Sequence, residues 1–172
     1  MFSEEPPETA RAYRSGTAWT RMSGCYAFKT EPSGGQALPL AEERADRPWF
    51  APENVIDGFA RAVRGVPHSW RPDPSLDLPQ WVELRFASPV EFDTIHVSFQ
   101  SRQLAASDFS LSAFVDGRWQ PLTRVSDNIQ RRCVLTFPAT RADRVRLTVE
   151  KAPSEMGVCE IRVYREEGPG GP

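Results

Sequence analysis

The hydrophobic pattern divides the chain in two. From Leu78 onward it has period two. Val82, Leu84 and Phe86 alternate with Trp81, Glu83 and Arg85; Ile95, Val97 and Phe99 alternate with Thr94, His96 and Ser98. Phe109, Leu111, Ala113 and Val115 follow, then Asp116-Gly117, a two-residue hairpin pair, with Trp119 and Leu122 on the return strand. Further strands are predicted over 131–137, 144–150 and 158–165. Turn chemistry separates them: Ser88-Pro89, Ser126-Asp127-Asn128, Pro138, and Pro153 to Gly157. With an earlier strand from Gly24 to Thr30 the count is eight. Short strands with no amphipathic helix between them predict an all-β, antiparallel jelly-roll sandwich. Its two sheets would pack about 10 Å apart.

The first half of the chain has no such rhythm. Residues 1–17 are rich in Glu, Pro, Ser and Thr, which predicts a flexible arm. Residues 31–48 read as loop with one helical turn, and Trp49-Phe50 as a loop tip or sandwich edge. Pro52 to Gly58 reads as a short helical turn stopped at Asp57-Gly58. Arg61 to Asp77 is too rich in Pro, Gly and Arg for regular structure. It is a long loop, and long ordered loops in compact domains are usually functional. The division expected is arm 1–17, sandwich 18–166 and a disordered tail 167–172.

Composition narrows the function. The 172 residues are enough to bury a core without a metal or disulfide staple. Net charge is −2 with both signs interspersed, which argues against nucleic-acid or polybasic membrane binding. Lys29 and Lys151 are the only lysines; the arginine excess reads as coding bias before it reads as a phosphate-binding signal. No apolar run approaches the ~20 residues of a membrane span. The N-terminus is acidic without an apolar signal core, so a cytoplasmic protein is expected if the chain is complete, or else a domain of a longer one. Three cysteines without CxxC spacing argue against a zinc site. No GxGxxG follows a strand, and no HExxH or nucleophile–base arrangement is suggested around His68 or His96. The chain is not expected to be an enzyme.

An ordered set of motifs carries a resemblance: Asn54-Val55-Ile56-Asp57-Gly58; Trp70; Pro79-Gln80-Trp81-Val82-Glu83-Leu84; Thr94-Ile95-His96-Val97; Asp116-Gly117-Arg118-Trp119; Arg144-Val145-Arg146-Leu147; and Gly157 to Tyr164. Over roughly residues 20–166 the chain resembles the discoidin, or coagulation factor 5/8 type C, domains, which are galactose-binding-like sandwiches. The long loop before Trp70 looks most like those appended to bacterial FAD-dependent oxidoreductases and carbohydrate-active enzymes. The resemblance implies a binding module, with glycan recognition through loops at one end. It also implies a structural calcium ion held by Asp57 and Glu160, completed by carbonyls of the turn 57–66. The alternative is that Asp57 caps its own turn while Glu160 pairs with an arginine. Some discoidin domains join their ends by a disulfide, which implies Cys25–Cys159; buried free thiols are the other reading.

Sugar binding needs an aromatic plane and nearby donors and acceptors. The loop supplies these types in Trp49, Arg61, Arg64, His68, Trp70 and Arg71. Arg64 and His68 are the leading candidates; Trp70 and Trp81 are set against a role in packing. The partner is a glycan or, in a second reading, a protein or enzyme domain docked through Trp49, Phe50 and Phe114.

Overall fold

The computed structural model describes residues 10–13, 26–29, 37–38, 50–63 and 65–166, the first three segments by their backbone alone. The described strands are β1 (Ala10–Tyr13), β2 (Tyr26–Lys29), β3 (Ala37–Leu38), β4 (Gln80–Phe99), β5 (Asp108–Val115), β6 (Arg118–Val125), β7 (Arg132–Lys151) and β8 (Val158–Glu166). All pairings are antiparallel. Within the stretch expected as an arm, β1 lies along the edge of β8, with Ala10 opposite Glu166.

Two long strands build both layers of the sandwich. The first part of β4 pairs with the last part of β7, Gln80 opposite Val149 through Arg85 opposite Arg144. The second part of β4 pairs with the first part of β7, Thr94 opposite Thr136 through Ser98 opposite Arg132. β2, β3, β5 and β6 extend the first layer; β8 and β1 extend the second. Ser88-Pro89 and Pro138 therefore do not end strands, as the sequence suggested. Val90 to Phe92 stay paired with Thr140 to Ala142, and the register shifts on both sides, between Arg85 and Val90 and between Phe92 and Thr94. Proline removes a ladder donor, so the strands bend there with extra residues instead of stopping.

The bulge also resets which face meets the core. Val82, Leu84, Phe86 and Phe92 are buried at even positions; Ile95, Val97 and Phe99 are buried at odd ones. The extra residues lie on β4 between Arg85 and Val90 and on β7 between Thr136 and Thr140, and beyond this bend the buried parity of β4 has changed, so both halves point apolar side chains inward. Phe92 sits at the centre of the bend, its ring centroid 6.3 Å from Phe86 and 5.9 Å from Phe137. Phe99 and Phe109 meet edge to face at 5.5 Å. Asp116 and Gly117 both have positive φ, 51° and 79°, which gives the predicted tight turn its hand.

The outer face of the first layer is not simply polar. The Arg146 guanidinium lies 3.5 Å from the centroid of Trp81 and 4.0 Å from that of Trp119. It also donates to Glu83 Oε2 at 3.1 Å. Trp81 therefore packs against the outside of the sandwich. The bends of β4 and β7 and the β5–β6 hairpin lie at one end of the sandwich. The described loop residues 57–63, 65–79, 100–107, 126–131 and 152–157 lie at the other.

Phe92→Ala is expected to cost about 3–5 kcal/mol, read from urea unfolding midpoints, because it empties a fully buried site between two aromatic rings. Val134→Ala, at an exposed position of β7, should stay within about 0.5 kcal/mol of the parent.

Candidate functional site

The loop end is tied together by main-chain bonds. Trp70 N–H donates to Val158 O at 2.8 Å and Val158 N–H to Trp70 O at 2.9 Å. Gln100 N–H donates to Gly157 O, and Gly157 N–H to Leu104 O. The Arg131 guanidinium donates to Ala60 O. Asn54, on the 3₁₀ turn Pro52–Ile56, donates from Nδ2 to Ser69 O at 3.1 Å. The turn thus carries Asp57 into the loops and anchors the segment before Trp70.

Asp57 is buried and organises this end. Its Oδ1 accepts from Phe59 N–H at 2.9 Å, and its Oδ2 lies 2.7 Å from His68 Nδ1. The imidazole stacks on the Phe59 ring, centroids 4.2 Å apart. His68 has φ +45°, the left-handed region, which a histidine tolerates better than most residues. The carboxylate and the ring hold it there. Next along the loop, the Arg71 guanidinium lies 3.8 Å over the Phe50 ring.

Of the candidates read from the sequence, His68 and Arg71 stand half-buried at this end and Arg61 stands exposed. Arg64, Trp49 and Cys25 lie outside the described residues. Trp70 is corrected: it is 1% exposed and belongs to the core, so it offers no plane to a ligand. Phe114 is half-buried at the far end of the sandwich, against Trp119. Phe59 and Phe50, which pair with His68 and Arg71, carry no sequence signal that marks them as stacking partners.

Asp57 and Glu160 surround the same thiol. Cys159 is free and fully buried. Burial pushes its pKa up to about 12; Arg131 works the other way, and Asp57 and Glu160 add to the rise. Gly157 packs here because an added Cβ would lie 2.9 Å from both Gln100 Oε1 and Ser69 Oγ. A calcium ion needs about six to eight oxygens. Yet Asp57 faces His68, Glu160 Oε1 lies 2.6 Å from Arg162 Nε, and the turn carbonyl of Ala60 faces Arg131. Among the described residues no three His, Cys, Asp or Glu side chains converge on one point. This donor set does not fit a hard cation: Asp57 is bonded to His68 and to the Phe59 N–H, Glu160 to Arg162 and the Ala60 carbonyl to Arg131.

A second histidine lies on the other layer. His96 stacks on Tyr164 at 4.4 Å, and its Nδ1 lies 3.1 Å from the Arg132 guanidinium. Burial first, then Arg132 and Arg162, lower its pKa from 6.5 to about 4. It is neutral at neutral pH.

No family model matches the sequence, and no curated protein matches it. Solved structures do match the fold. The family 32 carbohydrate-binding module of Clostridium perfringens NanJ, in complex with galactose, superposes with a TM-score of 0.63 at 13% identity, covering 91% of this chain and 99% of that one. Module CpGH89CBM32-5 from Clostridium perfringens, in complex with GalNAc-β-1,3-galactose, gives 0.59 at 16% identity, covering 81% and 92%. SpGH29 gives 0.58 at 20% identity; 85% of this chain matches, but it spans only 27% of that longer chain. The fold is the galactose-binding-like sandwich that the motifs implied.

Two outcomes follow from this geometry. Chelation with EDTA and addition of calcium should both leave the melting temperature unchanged. His68→Ala should lower stability by about 1–3 kcal/mol, the worth of a hydrogen bond to a buried carboxylate. A melting temperature that falls in EDTA would refute the ion-free reading. For His96, the unfolded chain takes up the proton near 6.5 and the folded chain only near 4. Stability should therefore fall as pH drops through that window and stop falling, on this account, below it. His96→Gln should show a shallower fall over the same range; parallel slopes would refute the assignment.

Proposed function

We propose that this chain is a non-catalytic glycan-binding module whose site lies at the loop end, with His68 and Arg71 as the polar contacts and Phe59 and Phe50 as the rings behind them. The observation that carries it is the fixed histidine. Asp57 holds Nδ1 and Phe59 holds the ring, so Nε2 is left as the imidazole's other polar atom, pre-oriented for a sugar hydroxyl. Arg71 adds donors from a guanidinium already stacked on Phe50. The same fold appears in modules whose structures contain galactose and a galactose disaccharide, which supports the reading. Such shallow sites bind weakly singly and gain by multivalency.

A glycan array probed with the purified protein tests this. Retention on a narrow set of glycans is expected, unchanged by chelator. Arg71→Ala and His68→Ala should each weaken it about tenfold, or about 1.4 kcal/mol, in protein that remains folded by circular dichroism. A blank array from folded protein would overturn the proposal. One observation favours a second reading, docking on a protein: Val66, Leu76 and Ile129, exposed by 40%, 42% and 80%, all project from the loop end. That reading predicts self-association or partner capture lost on Ile129→Ser and indifferent to sugars.

A further inference from the structure

We propose a second saccharide site at the opposite end of the sandwich, in the cleft between the β5–β6 hairpin and the bend of β4 and β7. It shares its ligand chemistry with the loop-end proposal but stands on different residues. The cleft is shallow and open, offers about 390 Å³, and is lined by Phe114, Asp116, Gly117, Arg141 and Asp143, with Pro89 from the bend of β4. That volume is within the ~300–1,000 Å³ of ordinary small-molecule sites.

Its walls are held rigidly. Asp116 and Gly117 form the hairpin turn, fixed by their positive φ. The Phe114 ring meets Trp119 at 5.3 Å, and the Arg144 guanidinium lies 3.9 Å from its centroid. Trp119 is in turn braced by Arg146, which also contacts Trp81 and Glu83. The aromatic wall is thus the end of a stack running back across the sheet. A site built on strands in this way keeps its geometry better than one built on loops.

The chemistry of the lining selects the ligand class. Two carboxylates, Asp116 and Asp143, stand with two guanidiniums, Arg141 in the lining and Arg144, which covers Phe114 and lies 3.7 Å from Asp143 Oδ1. The charges balance, so the site has no net charge to select an anion. A hard cation would find only two acidic side chains, and no group of three among the described residues. A neutral, hydroxyl-rich ring suits the lining: its C–H groups meet Pro89 and the part of Phe114 that Arg144 leaves uncovered, its hydroxyls donate to the carboxylates, and its oxygens accept from Arg141. Two sites at opposite ends would let one module bridge two glycan chains and gain by avidity.

The test is a titration of ¹⁵N-labelled protein with galactose and, separately, with chitotriose, followed by amide spectra. The expected result is a saturable shift of the Asp116, Gly117 and Asp143 amides with at least one of the two, retained in Arg71→Ala. Arg141→Ala should weaken it about tenfold. Asp116→Asn, which keeps the turn because asparagine also accepts positive φ, should do the same. Absence of hairpin shifts with both saccharides overturns the site, as do shifts unaltered in both variants. Loop-end shifts at His68 and Ser69 alone would sink this proposal and leave the loop-end reading standing; hairpin shifts alone would do the reverse.

Discussion

Everything in this molecule depends on the pairing of β4 with β7 through a bend. Each strand has 20 residues. Fully extended, such a strand would run about 66 Å. A compact domain of this length is only about 40 Å across, from a radius of gyration of roughly 16 Å. The pair must therefore fold over, and it does so at Ala87 to Pro89 and around Pro138, where prolines interrupt the ladder and the register slips. Beyond the second register shift, whose extra residues lie on β7 between Thr136 and Thr140, Ile95, Val97 and Phe99 return to the core. The break in hydrogen bonding and the switch in parity act together, because a bend without the bulge would turn those three side chains out to water.

The bend separates two ends with different physics. At the loop end, segments distant in sequence are held by a partly buried polar network: Asp57 with His68, Arg131 with Ala60 O, Asn54 with Ser69 O, Glu160 with Arg162. Buried carboxylates are costly unless paired or hydrogen-bonded, so the two acids require the polar partners beside them. This fixes His68 in a backbone conformation it would not choose alone. At the other end the walls are strand backbone and a tight turn, and rigidity comes from the sheet.

The sequence made the sandwich legible because period-two alternation is set by the pleat. Val82 to Phe86, Ile95 to Phe99 and Phe109 to Ala113 all lie buried on the expected face. It did not reveal that Pro89 and Pro138 sit inside strands, since a proline at a bulge and a proline at a strand end look alike locally. Trp70 was ambiguous for a similar reason: its two neighbours are loop residues, and only the ladder contact with Val158 draws it into the core. The Asp57 turn was legible, because Asp-Gly is local chemistry. Its union with His68, eleven residues on, was not, because it depends on how the loop closes.

Arginine usage shows how composition and structure meet. The excess of arginine over lysine was read as a bias of coding. Among the described residues, three of these guanidiniums lie over rings: Arg71 over Phe50, Arg144 over Phe114, and Arg146 by Trp81 and Trp119. A planar, weakly hydrated guanidinium can stack and still donate in its own plane, as Arg146 does to Glu83; a lysine ammonium cannot. Each such contact is worth about 0.5–2 kcal/mol, depending on how dry it is. More important than the energy is what the cation does to the ring. It fixes the aromatic plane without covering it with aliphatic bulk, leaving polar atoms at its margin. A held ring with adjacent donors is what both proposed saccharide sites would use, and at each end the ring is a phenylalanine under an arginine, Phe50 under Arg71 and Phe114 under Arg144.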